Sequence, residues 1–196
     1  MGKPRRPAPV KLFVGMLGAD GDLLRRARQM LTRRYGAADV ESALWPFTFT
    51  SYYETEMGPS LLRGFVAFEM LIAPERLAAI KRETNEMEER LAADCEALDI
   101  ARPVNLDPGY LDLGKLVLAT TKDRAHRIYL DAGIFAEVTL QYAQEAWQPS
   151  PWTYPDFRSP EYAAYFTQVR ERLAAQRAQL ERTLLAPPAP PSTEPA

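Results

Sequence analysis

The run Val10–Leu17, VKLFVGML, restricts the fold more than any other part of the sequence. Nearly all of its residues are apolar, and several are β-branched or aromatic. A strand with one face in water alternates polar and apolar residues, whereas a strand covered on both faces is apolar throughout. The run therefore predicts the central strand of a sheet that is covered on both sides.

The segments that follow predict an alternation of helices and strands. A helix with an apolar stripe follows Gly18–Asp22 and ends at Gly36. Leu44–Glu56 has a period of two, typical of a half-covered strand, and Leu62–Ile72 is a third strand. A helix begins near Pro74 and continues to about Ala93, because apolar residues recur at intervals of three and four. With a further strand near Val104, this order predicts a ferredoxin-like βαββαβ beginning.

The second half of the chain predicts an extension of the sheet by a β-meander. Lys115–Thr121, His126–Leu130 and Ile134–Tyr142 are strand-like and are joined by short turns. A loop rich in proline and aromatic residues follows, and then Pro160–Leu185 carries the apolar stripe of a long C-terminal helix. We therefore expect an α+β fold with a largely antiparallel sheet.

The ends of the chain differ in composition from its middle. Residues 1–9 are rich in proline and basic side chains, and residues 186–196 are rich in proline. We expect a disordered basic arm over 1–9, a single α+β domain over 10–185 and a disordered proline-rich tail over 186–196.

Composition excludes several classes of protein. The 24 Lys and Arg residues nearly balance the 26 Asp and Glu residues, so nothing global favours nucleic acid or a membrane surface as a partner. One cysteine, Cys95, and one histidine, His126, cannot build a disulfide or a Cys/His zinc site. Without a convincing signal peptide or spanning segment, we expect a soluble cytoplasmic protein.

A glycine-rich segment partly matches a phosphate-binding loop. Gly109 and Gly114-Lys115 have the spacing of a G-x-x-x-x-G-K pattern, in which backbone N–H groups and the lysine bind phosphate. Leu116 stands where a Ser or Thr hydroxyl would hold Mg²⁺, and a strand-like run follows instead of a helix. A turn between two strands explains the same letters, so both interpretations stay open.

The predicted hairpins would bring several polar side chains together. With a three-residue turn over Asp131–Gly133, Arg127 lies across from Glu137 and forms a cross-strand ion pair. With a turn over 123–125, Lys122 faces His126. Phosphate-binding candidates are Lys115, Lys122, His126 and Arg127. His126 is also the candidate general acid or base, and a structural role for it stays open.

Other residues are candidates for binding a metal ion or for stacking on a base. Glu54 and Glu56 share a face of the predicted strand, and with Asp107 they could bind Mg²⁺ through carboxylate oxygens, although turn chemistry also explains Asp107. The aromatic residues of the loop before the last helix could stack on a base or pack over the core; they are Trp147, Trp152, Tyr154 and Phe157.

Five runs of the sequence carry a resemblance to a known family. They are FTFTSYYETEMG (47–58), RPVNLDPGY (102–110), KLVLATTKDRAHRIYL (115–130), GIFAEVTLQY (133–142) and WTYPDFRSPEY (152–162). Over about Val10–Arg172 the chain resembles a bacterial and archaeal family described as domain of unknown function 4416. Some members carry the label GTP-binding protein, so the resemblance implies GTP as a candidate ligand and assigns no reaction.

Three functions follow as hypotheses. The first is binding of a phosphorylated small molecule, with a nucleotide as the leading candidate. The second is a non-enzymatic interaction protein or subunit that docks a partner through the helix Tyr162–Leu185. The third is a metal-assisted hydrolase or transferase that uses Glu54 and Glu56.

Overall fold

The computed structural model describes residues 2–94 and 102–185, with the side chains of residues 184 and 185 excepted. It contains nine strands, which are β1 (Val10–Gly18), β2 (Ala38–Glu41), β3 (Trp45–Pro46), β4 (Leu62–Ile72), β5 (Val104–Asp112), β6 (Lys115–Thr120), β7 (Ile128–Asp131), β8 (Ile134–Ala143) and β9 (Ala146–Pro149). The α-helices are α1 (Gly21–Tyr35), α2 (Glu54–Met57), α3 (Leu77–Ala93) and α4 (Pro160–Leu185), and two 3₁₀ turns cover Pro74–Arg76 and Pro155–Arg158.

The strands form one sheet in which every pair of neighbours is antiparallel. Its order is β2-β4-β1-β5-β6-β8-β7, with β3 added to β4 and β9 added to β8. Strand β1 pairs with β4 on one side and with β5 on the other, and all nine of its residues are buried. The predicted α+β fold with a largely antiparallel sheet is therefore confirmed. The ferredoxin-like description of its beginning stays a prediction.

Helices cover both faces of the sheet. Leu12, Val14 and Met16 of β1 point to one face, where they share a core with apolar residues of α1 and α3. Phe13 points to the other face and packs against Phe166 of α4, with ring centroids 5.1 Å apart. The two cores explain why β1 has no polar alternation, since both of its faces exclude water.

The predicted strand Leu44–Glu56 is wrong over most of its length. Pairing with β4 is confined to Trp45 and Pro46, and one further backbone bond joins Phe47 N to the Leu61 carbonyl at 2.7 Å. The pairing therefore stops after Phe47, well before Glu56. A loop follows, and Glu54 and Glu56 lie in the single turn of α2 instead of on one strand face.

The predicted meander also needs correction, because β6 pairs directly with β8 and leaves β7 at the edge of the sheet. The turn between β7 and β8 has two residues, Ala132 and Gly133, with φ of 47° and 79°, and not the predicted three. Positive φ at both positions is the geometry of a type I′ hairpin, which glycine adopts readily. Leu130 is unpaired in a bulge, so Ile128 still lies across from Ala136.

The strand predicted over His126–Leu130 begins only at Ile128, so Lys122 and His126 lie in a loop and are not opposed on a ladder.

Residues 2–9 are exposed and lack regular structure. Cys95 and the proline-rich tail 186–196 lie outside the described residues. Within the described ranges, no helix has both the length and the apolar character needed to cross a membrane.

Candidate functional site

A cavity of about 590 Å³ lies where the loop after β3, the middle of the sheet and two later loops meet. Its volume is in the range of small-molecule sites. Strands β4 and β5 supply buried polar residues, and the loop after β6 and the 3₁₀ turn Pro155–Arg158 supply the opposite side. Six basic side chains line it, namely Arg63, Lys81, Arg102, Lys122, Arg124 and Arg127, against the three acidic side chains Asp107, Glu137 and Asp156.

Arg63 is a buried arginine that lines the cavity and lies between two carboxyl groups. Its Nη1 donates to Asp107 Oδ2 at 3.0 Å, and its Nη2 lies 3.8 Å from Asp156 Oδ2. Asn105 Nδ2 also donates to Asp107 Oδ2, at 2.6 Å. Arg63 and Asn105 are each only 3% exposed, although Arg63 is directly followed in β4 by the apolar run 64–68. A buried arginine needs this pairing, because an uncompensated buried charge is costly.

Lys81 extends this group of side chains toward helix α3. Its Nζ donates to the Leu106 carbonyl at 2.8 Å and lies 3.9 Å from Glu88 Oε1. Arg102 Nη2 donates to Glu88 Oε2 at 2.9 Å and also bonds to Asn105. We call Arg63, Lys81, Arg102, Asn105, Asp107 and Asp156 the inner network. Its members join strands β4 and β5, helix α3 and the last loop into one polar cluster.

Burial and charge act differently on the two carboxyl groups beside Arg63. Burial by itself would raise the pKa of Asp107, but Arg63, Lys81 and Arg102 outweigh it and hold that pKa below its usual value. Burial raises the pKa of Asp156, and the Arg63 charge only partly opposes this. Asp107 therefore has the lower pKa of the two carboxyl groups and stays ionised at neutral pH.

A second polar group surrounds Glu137, and its members Arg127 and Glu137 form one wall of the cavity. Arg127 Nε donates to Glu137 Oε2 at 2.8 Å, and His126 Nε2 lies 3.2 Å from the same oxygen. The Arg127 and Glu137 side chains are 4% and 2% exposed. Arg127 also donates through Nη2 to the Tyr154 hydroxyl at 3.2 Å, which ties the loop after β9 to this wall.

The mouth of the cavity is formed by exposed basic and aromatic side chains. Lys122 Nζ lies 5.2 Å from the centroid of the Tyr52 ring, in the position of a cation–π contact. Among residues 2–94 and 102–185, no carboxylate lies within salt-bridge distance of Lys122 or Arg124. We call these two residues the outer cations. Phe49, Tyr52 and Tyr154 are exposed beside them.

A family model for the domain of unknown function DUF4416 matches residues 8–173. The match covers most of the chain. The chain belongs to this family. No curated protein and no solved structure matches the chain. Membership of the DUF4416 family brings no reaction with it, and the GTP-binding label stays a prediction.

Only some of the predicted site residues meet in this DUF4416 chain. Lys122 and Arg127 line the cavity, whereas His126 does not and instead stacks on Trp152, with ring centroids 5.2 Å apart and an interplanar angle of 12°. Lys115 lies at the opposite end of β6 from Thr120, which a five-residue rise places roughly 17 Å away. Lys115 is therefore not part of the group.

The glycine-rich segment is a hairpin in the DUF4416 fold. Gly109 lies inside β5, and Gly114 forms the turn between β5 and β6. A Cβ at Gly109 would lie 2.5 Å from the Val117 carbonyl oxygen, so the close approach of two strands explains this glycine. The segment is therefore a turn between two strands, as the second of the two interpretations predicted, and does not have the strand-loop-helix form of a phosphate-binding loop.

The metal candidates are dispersed. Asp107 lies within β5, not in a turn, and it belongs to the inner network. Glu54 and Glu56 are exposed on α2 and do not line the cavity. Within the described residues, no group of three or more His, Cys, Asp or Glu side chains has the arrangement of a metal site. The Mg²⁺ assignment stays a prediction.

The sequence-based reasoning missed much of the inner network, including Arg63, Arg102, Asn105 and Asp156. A usable signal existed for Arg63, since it is a charged residue next to the uninterrupted apolar run 64–68 of β4. Of the aromatic loop, Tyr154 and Phe157 line the cavity. Phe157 is also part of the core against α4, as the packing interpretation expects, and stacking on a base stays a prediction.

Proposed function

We propose that this protein binds a phosphorylated small molecule in the cavity, with a nucleotide as the first candidate. The observation that carries the proposal is the pair of outer cations. Lys122 and Arg124 have no acidic partner among the described residues, whereas the buried basic residues are matched by carboxylates. A phosphate group at the mouth would supply an anionic partner for both outer cations and accept charge-assisted hydrogen bonds from them.

Aromatic side chains beside the outer cations support a ligand that also has a planar ring. Tyr52 and Tyr154 expose about half of their surface, at 62% and 46%, and Phe49 exposes 40%. Exposed aromatic faces stack on heterocyclic bases without regard to their identity. A nucleotide unites a phosphate with such a ring, and this fits the chemistry at the mouth better than inorganic phosphate alone.

The test is thermal unfolding of the full chain with nucleoside mono-, di- and triphosphates, sugar phosphates and pyrophosphate, each with and without Mg²⁺. A ligand at about one hundred times its Kd stabilises by roughly 2.7 kcal/mol, which raises Tm by roughly 5–10 °C for a chain of this size. A selective rise supports the proposal. No rise with any phosphate compound would remove it.

Two double variants make the assignment to the outer cations specific. Lys122→Ala/Arg124→Ala should weaken the best phosphate ligand at least about tenfold, because two charge-assisted contacts are lost. Arg33→Ala/Lys115→Ala is the matched control, because it removes the same charge from exposed positions outside the cavity. Equal affinities of the two variants would show that the outer cations do not bind the ligand.

Docking of a partner through α4 is the alternative that the contacts favour less. Its apolar side chains Tyr162, Phe166, Val169 and Leu173 are buried against the sheet, and among the helix's described large apolar side chains Leu180 alone is strongly exposed.

The hypothesis of a metal-assisted hydrolase or transferase is tested by divalent-ion binding to a variant without the two carboxylates of α2. Divalent-ion binding that survives Glu54→Gln/Glu56→Gln would count against it.

A further inference from the structure

Asp107 presents one oxygen atom that no other group uses. Its Oδ2 accepts from Arg63 Nη1 and Asn105 Nδ2. Its Oδ1 has no hydrogen-bond partner within the described residues, and its nearest cation, Lys81 Nζ, is 4.0 Å away. The Asp107 side chain is 30% exposed and lines the cavity, whereas the Arg63 and Lys81 side chains are 4% and 6% exposed.

The charges around Asp107 determine which kind of chemical group can bind to its free oxygen, Oδ1. Asp107 is held ionised by its basic neighbours, so it can only accept hydrogen bonds. A phosphate oxygen would be repelled. A cationic group is not needed either, because Arg63 already pairs with Asp107, and Lys81 and Arg102 lie beside Glu88. A neutral N–H or O–H donor satisfies the free oxygen without adding charge.

We propose that Asp107 Oδ1 accepts a hydrogen bond from a neutral N–H or O–H group on the non-phosphate part of the ligand. This inference rests on the proposed function, and it divides the cavity into two subsites. The outer cations bind phosphate at the mouth, and Asp107 accepts a hydrogen bond from a ribose 2-hydroxyl or an exocyclic amino group of a base at the floor. The ligand class is thus a phosphate ester that carries a donor, and inorganic phosphates fill only the outer subsite.

Specificity arises because a bound ligand would cover the partly exposed Asp107 Oδ1 without giving it a hydrogen-bond partner. A ligand that lacks the donor must remove water from Asp107 Oδ1 and give nothing in return, and a site of this type rejects such analogues strongly. We expect a loss of about ten- to hundredfold in affinity for each analogue that lacks the hydrogen bond read by Asp107.

The experiment measures affinity by calorimetry for probes that differ in one donor. The pairs are guanosine and inosine 5′-monophosphate, adenosine and 2′-deoxyadenosine 5′-monophosphate, and ribose and 2-deoxyribose 5-phosphate, with pyrophosphate as the reference. The expected result is a tenfold or greater preference for the donor-bearing member of at least one pair. Equal affinity within every pair would overturn the inference, even if all probes bind.

Asp107→Asn gives a second, directional test. The donors Arg63 Nη1 and Asn105 Nδ2 require the carbonyl oxygen of the new amide at the Oδ2 position, so its NH₂ must face the cavity. The variant should therefore lose the preference while keeping pyrophosphate affinity. Asp156→Asn is the control, because Asp156 faces the same Arg63 but its side chain is only 5% exposed. Loss of the preference in both variants would assign it to Arg63 and overturn the inference.

The outcomes separate this inference from the proposed function. Binding of pyrophosphate and of every probe with the same affinity would keep the phosphate site and remove the role of Asp107. Failure of all probes and of pyrophosphate would remove the proposed function and the inference together. The comparison of probe pairs on the unaltered chain stays decisive even if Asp107→Asn does not fold.

Discussion

Arg63→Met is the substitution that tests the inner network most directly. Arg63 is buried between Asp107 and Asp156, and its guanidinium carbon lies 5.4 Å from the centroid of the Phe47 ring. Methionine retains much of the apolar contact and removes the charge. Two carboxyl groups then lose their common cation in a buried site, and breaking such a pair costs about 3–5 kcal/mol.

The measurement is the free energy of unfolding in denaturant at neutral pH. A loss of about 3–5 kcal/mol corresponds to a fall in Tm of roughly 6–20 °C for a chain of this length. The control is Arg90→Met, whose partner Glu86 Oε2 is 3.8 Å away on the exposed side of α3. An exposed pair of this kind contributes about 0.5 kcal/mol or less.

The difference between wild type and Arg63→Met should shrink as the pH falls. In the wild type the pKa of Asp107 is held below its unfolded value, so its contribution is present above the unfolded pKa and is lost as the pH falls through the folded pKa. In the variant both carboxyl groups lose the charge that lowers their pKa. Protonation at low pH then removes the cost of keeping two buried carboxylates ionised. A cost equal to that of Arg90→Met, or a difference independent of pH, would refute this account.

Three further predictions concern stability. Gly109→Ala should cost roughly 1–3 kcal/mol or more in denaturant unfolding, because its Cβ would lie 2.5 Å from the Val117 carbonyl oxygen, whereas Gly114→Ala has open space and should not show this overpacking cost. Phe166→Ala should cost about 3–5 kcal/mol by the same assay, because the ring is fully buried between α4 and the sheet, and a cost under about 1 kcal/mol would contradict that packing. Burial lowers the pKa of Lys11 below 10.5, so the unfolded chain binds more protons in alkaline solution, and wild-type stability relative to Lys11→Met should rise with pH. Unfolding free energies at about pH 8 and about pH 10 test this, and a constant difference would contradict it.

Local sequence patterns determined the elements that make up the framework. The nearly uniform apolar character of Val10–Leu17 predicted the inner strand, and intervals of three and four residues predicted α3 and α4 with nearly the observed bounds. These signals work because they report burial along one element. They failed at Leu44–Glu56, where aromatic residues alternate but the pairing with β4 stops after Phe47 and several of the aromatic side chains line the cavity instead.

The candidate site was decided by tertiary structure. Arg63 and Asp107 belong to strands that both pair with β1, on opposite sides of it, and they are 44 residues apart in the chain. Their contact therefore depends on the order and register of the sheet, which no local period encodes. The same register sends Lys115 to the far end of β6 and brings Lys122 to the cavity. The sequence thus determined which segments are buried, and only the packing of distant strands determined which charges meet.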